Sequence, residues 1–299
     1  MSQQKTPTAA IIVIGNEILS GRTKDKNIGW LAEKLSVQGI QLVEARVIAD
    51  NRQVIIDTVK TLSAAYDLVF TSGGIGPTHD DITTEAVAAA FDVPVIRHPE
   101  AERRLVAHYE NTDLEFNAAR QKMADIPATA TLIDNPLSAA PGFILGNVHV
   151  LPGVPAILQA MFEGMRGALP GGVVMTRITV QCATGEGNIA TILATVQSRY
   201  EGVTIGSYPW FKPGQFGTAV VVSGLDQMAT DSAILTRLIC RPWKSSINQL
   251  SERPTSRQPC QSNELFRRKK QPKTCLTCLR EFHPRVFWLP YLHKSTFVI

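Results

Sequence analysis

The sequence has no apolar stretch near the ~20 residues that cross a bilayer as a helix. Its first eight residues are polar and lack the apolar core of a secretory leader. Cysteine is sparse: five in 299 residues, of which only Cys182 precedes position 240. In an intracellular protein such thiols stay reduced. No cysteine and no Ser–His–Asp set offers a covalent nucleophile. Basic residues are scarce where most of the chain lies. From Cys240 onward there are twelve Lys and Arg against three Asp and Glu, which leaves eighteen against twenty-three in the preceding body. The overall +4 therefore hides a mildly acidic body and a strongly basic tail. An acidic body argues against a nucleic-acid groove. A cytoplasmic chain is the default expectation, and nothing in the sequence excludes a homo-oligomer.

What is present is a length and apolar content that suit one large or two modest domains with real cores. Residues 9 to about 170 alternate strand and helix patterns. Residues 9–14 form a continuous apolar run, as in a strand buried on both faces. Ile28, Leu31, Ala32 and Leu35 fall on one face of a helix, and Gly39 suits its end. The pattern predicts strands at 41–47, 67–71 and 93–96, and helices through Ile55, Val59 and Leu62 and over 83–91. Two further helical stretches fall at 100–111 and 114–124. Residues 142–145 and 148–151 flank Gly146 and Asn147 as a hairpin. Pro155 opens a last helix carrying Ile157, Met161 and Met165. Such alternation predicts a parallel sheet with helices on both faces, and ligands bind beyond the carboxyl ends of its strands.

After a linker at 169–172, strands at 176–182, 203–207 and 218–222 and helices at 189–200 and 227–239 predict a small α+β domain. The divisions expected are a disordered 1–8, domains at 9–170 and 173–239, and an atypical basic tail at 240–299, expected to be disordered.

Residues 71–81, Thr-Ser-Gly-Gly-Ile-Gly-Pro-Thr-His-Asp-Asp, carry the strongest chemical signal. They follow an apolar strand and precede a helix. Glycines let backbone approach a ligand, and free N–H groups at a helix start favour an anion. Two carboxylates beside a phosphate call for a cation between them, and Mg²⁺ is commonly held by one or two carboxylates plus phosphate oxygens. The plainer reading is that Asp81 caps the helix near Ile82; it leaves Asp80 and the glycine spacing without a reason. Glu17, in the loop opened by Gly15, and Asp50 end two other strands on the same edge. Each alone is an ordinary loop acid; together with the aspartate pair they form a rim that is unfavourable without a cation. Asn27 reads as a helix cap first and a ligand contact second. The turns containing Pro141 and Gly142, and Pro152 and Gly153, either reverse the chain or close the pocket. A lone loop histidine such as His79 is more often solvated than metal-bound. Cys275 and Cys278, with Cys260 and His283, have irregular spacing for zinc, and the basic run at 267–270 reads as a solvated charge run.

The 71–81 loop, Gly15 to Gly21, Asp25 to Asn27 and Asp50 together resemble the molybdopterin-binding (MoaB/Mog-like) domain family, in its CinA-type competence/damage-inducible branch. The likeness spans residues 9–169, and residues 173–239, with Gly206 to Pro209, resemble the KH-like region of the same branch. It implies a three-layer α/β/α fold with a mostly parallel sheet, then a small α+β domain and an irregular tail. It implies that Ser72, Gly73, Gly74, Gly76 and Thr78 cradle a phosphate or pterin phosphate. Asp81 and Asp50 match the family's acidic positions, and Glu17 its Gly-x-Glu turn. Asp81, Asp80 and Asp50 are thus the catalytic candidates, and Asp80, Asp81 and Glu17 the candidate ligands of Mg²⁺ or Co²⁺. The implied activity is hydrolysis of a nucleotide pyrophosphate such as ADP-ribose or FAD. The alternatives are adenylyl transfer to molybdopterin and a non-catalytic pterin- or nucleotide-binding module. RNA binding is disfavoured, because no basic Gly-x-x-Gly loop is present. The last sixty residues show no likeness to the amidase domain of full-length members.

Overall fold

The computed structural model describes residues 6–226 and 229–230. All of them lie in one compact unit, residues 1–245. The apolar run near the start is β1 (Thr8–Ile14), buried from Ala9 onward. It is followed by the short helix α1 (Asn16–Leu19), then α2 (Asn27–Val37) and β2 (Gln41–Ile48). Next come α3 (Arg52–Ala65), β3 (Leu68–Ser72) and α4 (Thr83–Ala90). Residues 7 and 8 are part of this structure, against the expectation of a disordered 1–8: Pro7 accepts from the Gln41 amide at 2.9 Å, and Thr8 donates to Asp67 at 2.8 Å.

The chain then leaves the main sheet. It forms β4 (Val95–Arg97), α5 (Pro99–Glu110), α6 (Ala118–Gln121), a 3₁₀ turn at Lys122–Ala124 and β5 (Asp125–Pro127). It returns through β6 (Thr131–Ile133), β7 (Gly142–Leu145), β8 (Val148–Leu151) and α7 (Pro155–Met165). The strand expected at 93–96 does not join the parallel sheet. It pairs antiparallel with β5, and Ile96 and Arg97 are exposed, whereas an interior parallel strand needs both faces covered. The helix expected over 114–124 shrinks to α6 and the 3₁₀ turn. Asn117 starts it late, its side chain accepting from the Arg120 amide at 3.1 Å.

The main sheet has six strands in the order β2-β1-β3-β8-β7-β6. Pairings β1/β2, β1/β3 and β3/β8 are parallel, and β7/β8 and β6/β7 antiparallel. The 142–151 hairpin forms as the sequence predicts, with Leu145 opposite Val148. Alternate residues of β1 and β3 feed two cores. Ala10, Ile12, Ile14 and Val69 pack with α3, α4 and α5. Ala9, Ile11, Val13 and Phe70 pack with α2 and α7. The result is three layers, α/β/α. Because β2 and β3 flank β1 on opposite sides, and α2 and α4, which follow β1 and β3, cover opposite faces, the loops after β1 and β3 diverge at their carboxyl ends.

Beyond the linker come β9 (Thr176–Cys182), α8 (Glu186–Gln197), β10 (Val203–Lys212) and β11 (Gln215–Gly224). The strands form an antiparallel sheet, β10-β11-β9, over a core of Ile189, Val196, Val203, Val220 and Val222. The β10–β11 hairpin is longer than its apolar pattern predicts, pairing out to Phe211 with Phe216 and Lys212 with Gln215. The helix expected at 227–239, apart from Ala229 and Thr230, and the tail with its Cys260, Cys275, Cys278 and His283, lie outside the described residues.

Candidate functional site

The carboxyl ends of β1, β2, β3 and β8 meet at one edge. Gly15 follows β1 and donates to the Ile48 carbonyl at 3.1 Å. Asp50, just past β2, accepts from the Asn16 amide at 2.8 Å through Oδ2. The end of β1 is thereby tied to the end of β2. Glu17 folds back over Gly15: a Cβ there would stand 2.6 Å from Glu17 Oε1.

After β3 the backbone turns sharply. Gly73 has φ +112°, and a Cβ there would lie 2.3 Å from the Ile14 carbonyl oxygen. Gly74 has φ +71°, and its Cβ would lie 2.1 Å from Thr83 Oγ1. Only glycine fits either position. Thr83 binds the loop in two ways: its amide donates to the Gly74 carbonyl at 2.9 Å, and its hydroxyl to the Gly73 carbonyl at 3.0 Å. The Gly73 amide is itself spent on the Leu151 carbonyl at 3.1 Å. The amides of Gly74, Ile75 and Gly76 donate to no protein acceptor among the described residues. Three consecutive unspent donors, opened by a left-handed glycine, form a concavity suited to an anion.

Asp81 sits against this loop but does not cap α4. The cap position is Ile82, which makes no side-chain bond. The Asp81 carboxylate turns back over Gly76, where a Cβ would meet its Oδ2 at 2.6 Å. Oδ2 accepts from the Thr78 amide at 2.8 Å and the Thr78 hydroxyl at 2.5 Å. Thr78, expected to cradle phosphate, thus gives its donors to Asp81, because a Thr-x-x-Asp turn lets one carboxylate satisfy both. Asp80 is exposed beside it. The Thr78 hydroxyl, which it shares with Asp81, its own amide and the nearby charges of His79 and Lys122 hold its carboxyl below the usual aspartate range. His79 is exposed.

Asn27 is not a cap. Asp25 takes that role, accepting from the Ile28 amide at 2.9 Å. The Asn27 side chain is instead a buried brace at 3 % exposure. Its Nδ2 donates to Ser72 Oγ at 2.8 Å and to the Gly153 carbonyl at 2.9 Å, and its Oδ1 has no partner. It locks the start of α2, the end of β3 and the turn after β8 together. The turn holding Gly153 runs alongside the Gly73 backbone, and a Cβ at Gly153 would stand in ordinary van der Waals contact, 3.4 Å from Gly73 Cα. Gly142 serves close strand packing, since a Cβ there would meet the Val150 carbonyl at 2.3 Å. Pro152, one position before Gly153, belongs to the same turn.

A cleft beside the loop is lined by Gly76, Asp81, Glu85, Lys122, Asp125 and Pro141. It holds about 10 Å³, room for one water or ion. Glu85, Lys122 and Asp125 carry no motif that sequence reading could catch, because Lys122 and Asp125 arrive from the excursion that leaves the sheet. Asn135 opens the turn-rich stretch that leads to Pro141 and Gly142, and closes its 135–140 turn by accepting from the Leu137 and Ser138 amides and donating to the Ala140 carbonyl. Among the described residues no three His, Cys, Asp or Glu side chains gather to hold a metal ion unaided. Asp80, Asp81 and Glu17, the candidate ligands, are not gathered into such a group.

A three-layer α/β/α sheet with unspent loop amides and acids at its switch point defines the class: an α/β protein with an appended α+β unit. The chain belongs to the family described as "Probable molybdopterin binding domain", which matches residues 10–170. Residues 174–238 match the middle domain of FAD synthase. Its relatives include CinA-like proteins. A CinA-like protein of Parasynechococcus marenigrum is 31 % identical over 225 residues, which cover 72 % of this chain and 53 % of that protein. The chain spans about half the length of such CinA-like relatives. A protein of Archaeoglobus fulgidus is 34 % identical over 224 residues, 75 % of this chain and 93 % of its own. The crystal structure of the protein CinA with unknown function from Thermoplasma acidophilum is 34 % identical, with a TM-score of 0.51. It covers 55 % of this chain and 98 % of that one. No helix among the described residues is long and apolar enough to cross a membrane.

Proposed function

We propose that this chain is a metal-dependent nucleotide pyrophosphatase acting on compounds of the ADP-ribose or FAD class. The observation that carries the reading is the row of unspent amides at Gly74, Ile75 and Gly76 directly beside the Asp81 carboxylate. The amides suit phosphate oxygens and stabilise charge that gathers on them as a P–O bond breaks. Because the adjoining cleft admits only a water or an ion, the nucleotide lies along the exposed loop and across the cleft mouth. In the reaction, water adds to one phosphorus of the P–O–P link. The bridging oxygen leaves with the other phosphate, giving AMP and, from ADP-ribose, ribose 5-phosphate.

The residues present fit a divalent cation of the Mg²⁺ or Co²⁺ kind. Asp81 gives only Oδ2 to Thr78 and Asp50 only Oδ2 to Asn16, so each keeps an oxygen without a protein donor. Asp80, held ionised, stands next to Asp81. Asp81 and Asp80 would hold the cation, with Asp50 at the same sheet edge, and phosphate and water oxygens completing its shell. Bound there, such an ion supplies Lewis-acid polarisation of a phosphoryl oxygen.

Adenylyl transfer to molybdopterin is the second reading, favoured by the family match over 10–170. It would use the same amides with a pterin phosphate as acceptor. Incubation with ADP-ribose or FAD and Mg²⁺ or Co²⁺, scored for AMP, tests hydrolysis, and a parallel incubation with molybdopterin and ATP tests transfer. Asp81→Ala is expected to bind nucleotide within a few fold of wild type while AMP release falls roughly 100-fold or more, the scale of a lost transition-state contact. Equal turnover in that variant removes Asp81 from the mechanism. Binding without turnover in wild type leaves a binding module.

A further inference from the structure

We propose that Lys122 is a positioning residue for this site, holding the 78–81 turn so that Asp81 faces the cleft. The claim rests on the reading of that cleft as a nucleotide site. Lys122 opens the 3₁₀ turn Lys122–Ala124, on the excursion outside the main sheet. Its ammonium donates to the Asp81 carbonyl at 2.6 Å and to the Thr78 carbonyl at 3.2 Å, and stands 3.7 Å from Glu85 Oε1. Two of the ammonium's three protons are spent on the carbonyls of one turn, and its charge faces Glu85 in the first turn of α4. Lys122 is thereby turned toward the protein.

What it holds is the part of the loop least fixed by anything else. Gly73 and Gly74 are tied to the sheet and to Thr83, but residues 77–80 are exposed, and Asp81 and Thr78 bond chiefly to each other. Lys122 grips the carbonyls at both ends of that self-closed turn. Its charge also faces the acids of the cleft. Glu85 Oε2 is buried without a partner, so removing Lys122 leaves that carboxylate facing no cation. The lysine is itself braced from behind. Arg97 bonds Asp125 at 2.6 Å and the Gln121 side chain at 3.4 Å, fixing the chain on either side of it.

A purely structural role makes a different forecast. Partly exposed ion pairs contribute little to global stability, so the effect of losing Lys122 belongs in the loop and in turnover rather than in the melting temperature. The test compares the full chain with Lys122→Met and Lys122→Arg. In the methionine variant, amide hydrogen exchange over 76–84 is expected to rise about tenfold or more with the β1 and β3 amides unchanged. AMP release from ADP-ribose with Mg²⁺ or Co²⁺ is expected to lose roughly 10- to 100-fold in kcat, the cost of about 1 Å of misplacement, with KM within about threefold. Arginine, which reaches the same carbonyls, restores most of both. Wild-type exchange over 76–84 in Lys122→Met overturns the proposal, as does a rise in KM at unchanged kcat, which would make Lys122 a substrate contact. If the wild type releases no AMP, the pyrophosphatase reading fails by itself, and the exchange comparison still decides the role of Lys122.

Discussion

At the scale of single residues, two glycines and one asparagine set the backbone shape of the site. Gly74 carries a left-handed backbone pressed against Thr83, and that contact leaves the next amides free for an anion. Gly74→Ala forces a side chain into αL geometry and into Thr83 Oγ1 at once. It is expected to cost roughly 2–4 kcal/mol in urea unfolding and to abolish nucleotide binding. A loss below about 0.5 kcal/mol would mean the loop has another conformation. Asn27 shows why residue-level reading from sequence stops short. Its place before a helical stretch predicts a cap, yet the capping acceptor is Asp25, and Asn27 braces two distant strand ends. Local spacing carries cap chemistry; it does not carry which buried acceptor, 45 or 126 positions away, needs a donor.

At the scale of elements, the long and strongly patterned segments were legible. β1 reads as apolar throughout because both its faces are covered, and α2 and α3 show one apolar stripe each. The glycine loop and its acids were legible too, because chain reversal and anion chemistry demand particular residue types at close spacing. The excursion was not. Its strands β4 and β5 are three residues each, too short to set a period. It packs into the main core through Ala101, Leu105, Ala124 and Ile126, and carries charge pairs on its surface: Arg97 with Asp125, Arg104 with Asp134, and Glu100 with Arg103 and Arg104 along α5. Those two arginines pull the Glu100 carboxyl down to about 2. In the sheet itself, β8 buries His149 at 6 % exposure against the Phe70 ring, centroids 4.9 Å apart. Burial holds its imidazole below the ordinary 6.5. Above that value both folded and unfolded chains carry neutral histidine. As pH falls through it the unfolded chain binds the proton first, and stability is lost. His149→Phe is therefore expected to flatten the decline in urea midpoint between about pH 7 and 5. An unchanged slope would assign that decline to other groups.

At the scale of the whole molecule, strand order decides where a ligand can go. With β1 between β2 and β3, the loops diverge at one edge. The same edge collects Gly15, Asp50, the 72–81 loop and the turn at Gly153. The sequence shows these pieces separately; the topology brings them to one edge, where among the described residues no three such acids gather to hold a metal ion unaided. A cation at this edge must share its shell with the substrate, so metal and nucleotide should bind together and each weakly alone. Crystals grown with ADP-ribose and Co²⁺, with anomalous data collected at the cobalt edge, test this most directly. The expected result is one cobalt peak beside the Asp81 carboxylate, with a phosphate of the nucleotide on the amides of Gly74, Ile75 and Gly76. A nucleotide bound elsewhere, or a cobalt ion away from both Asp80 and Asp81, would contradict the account.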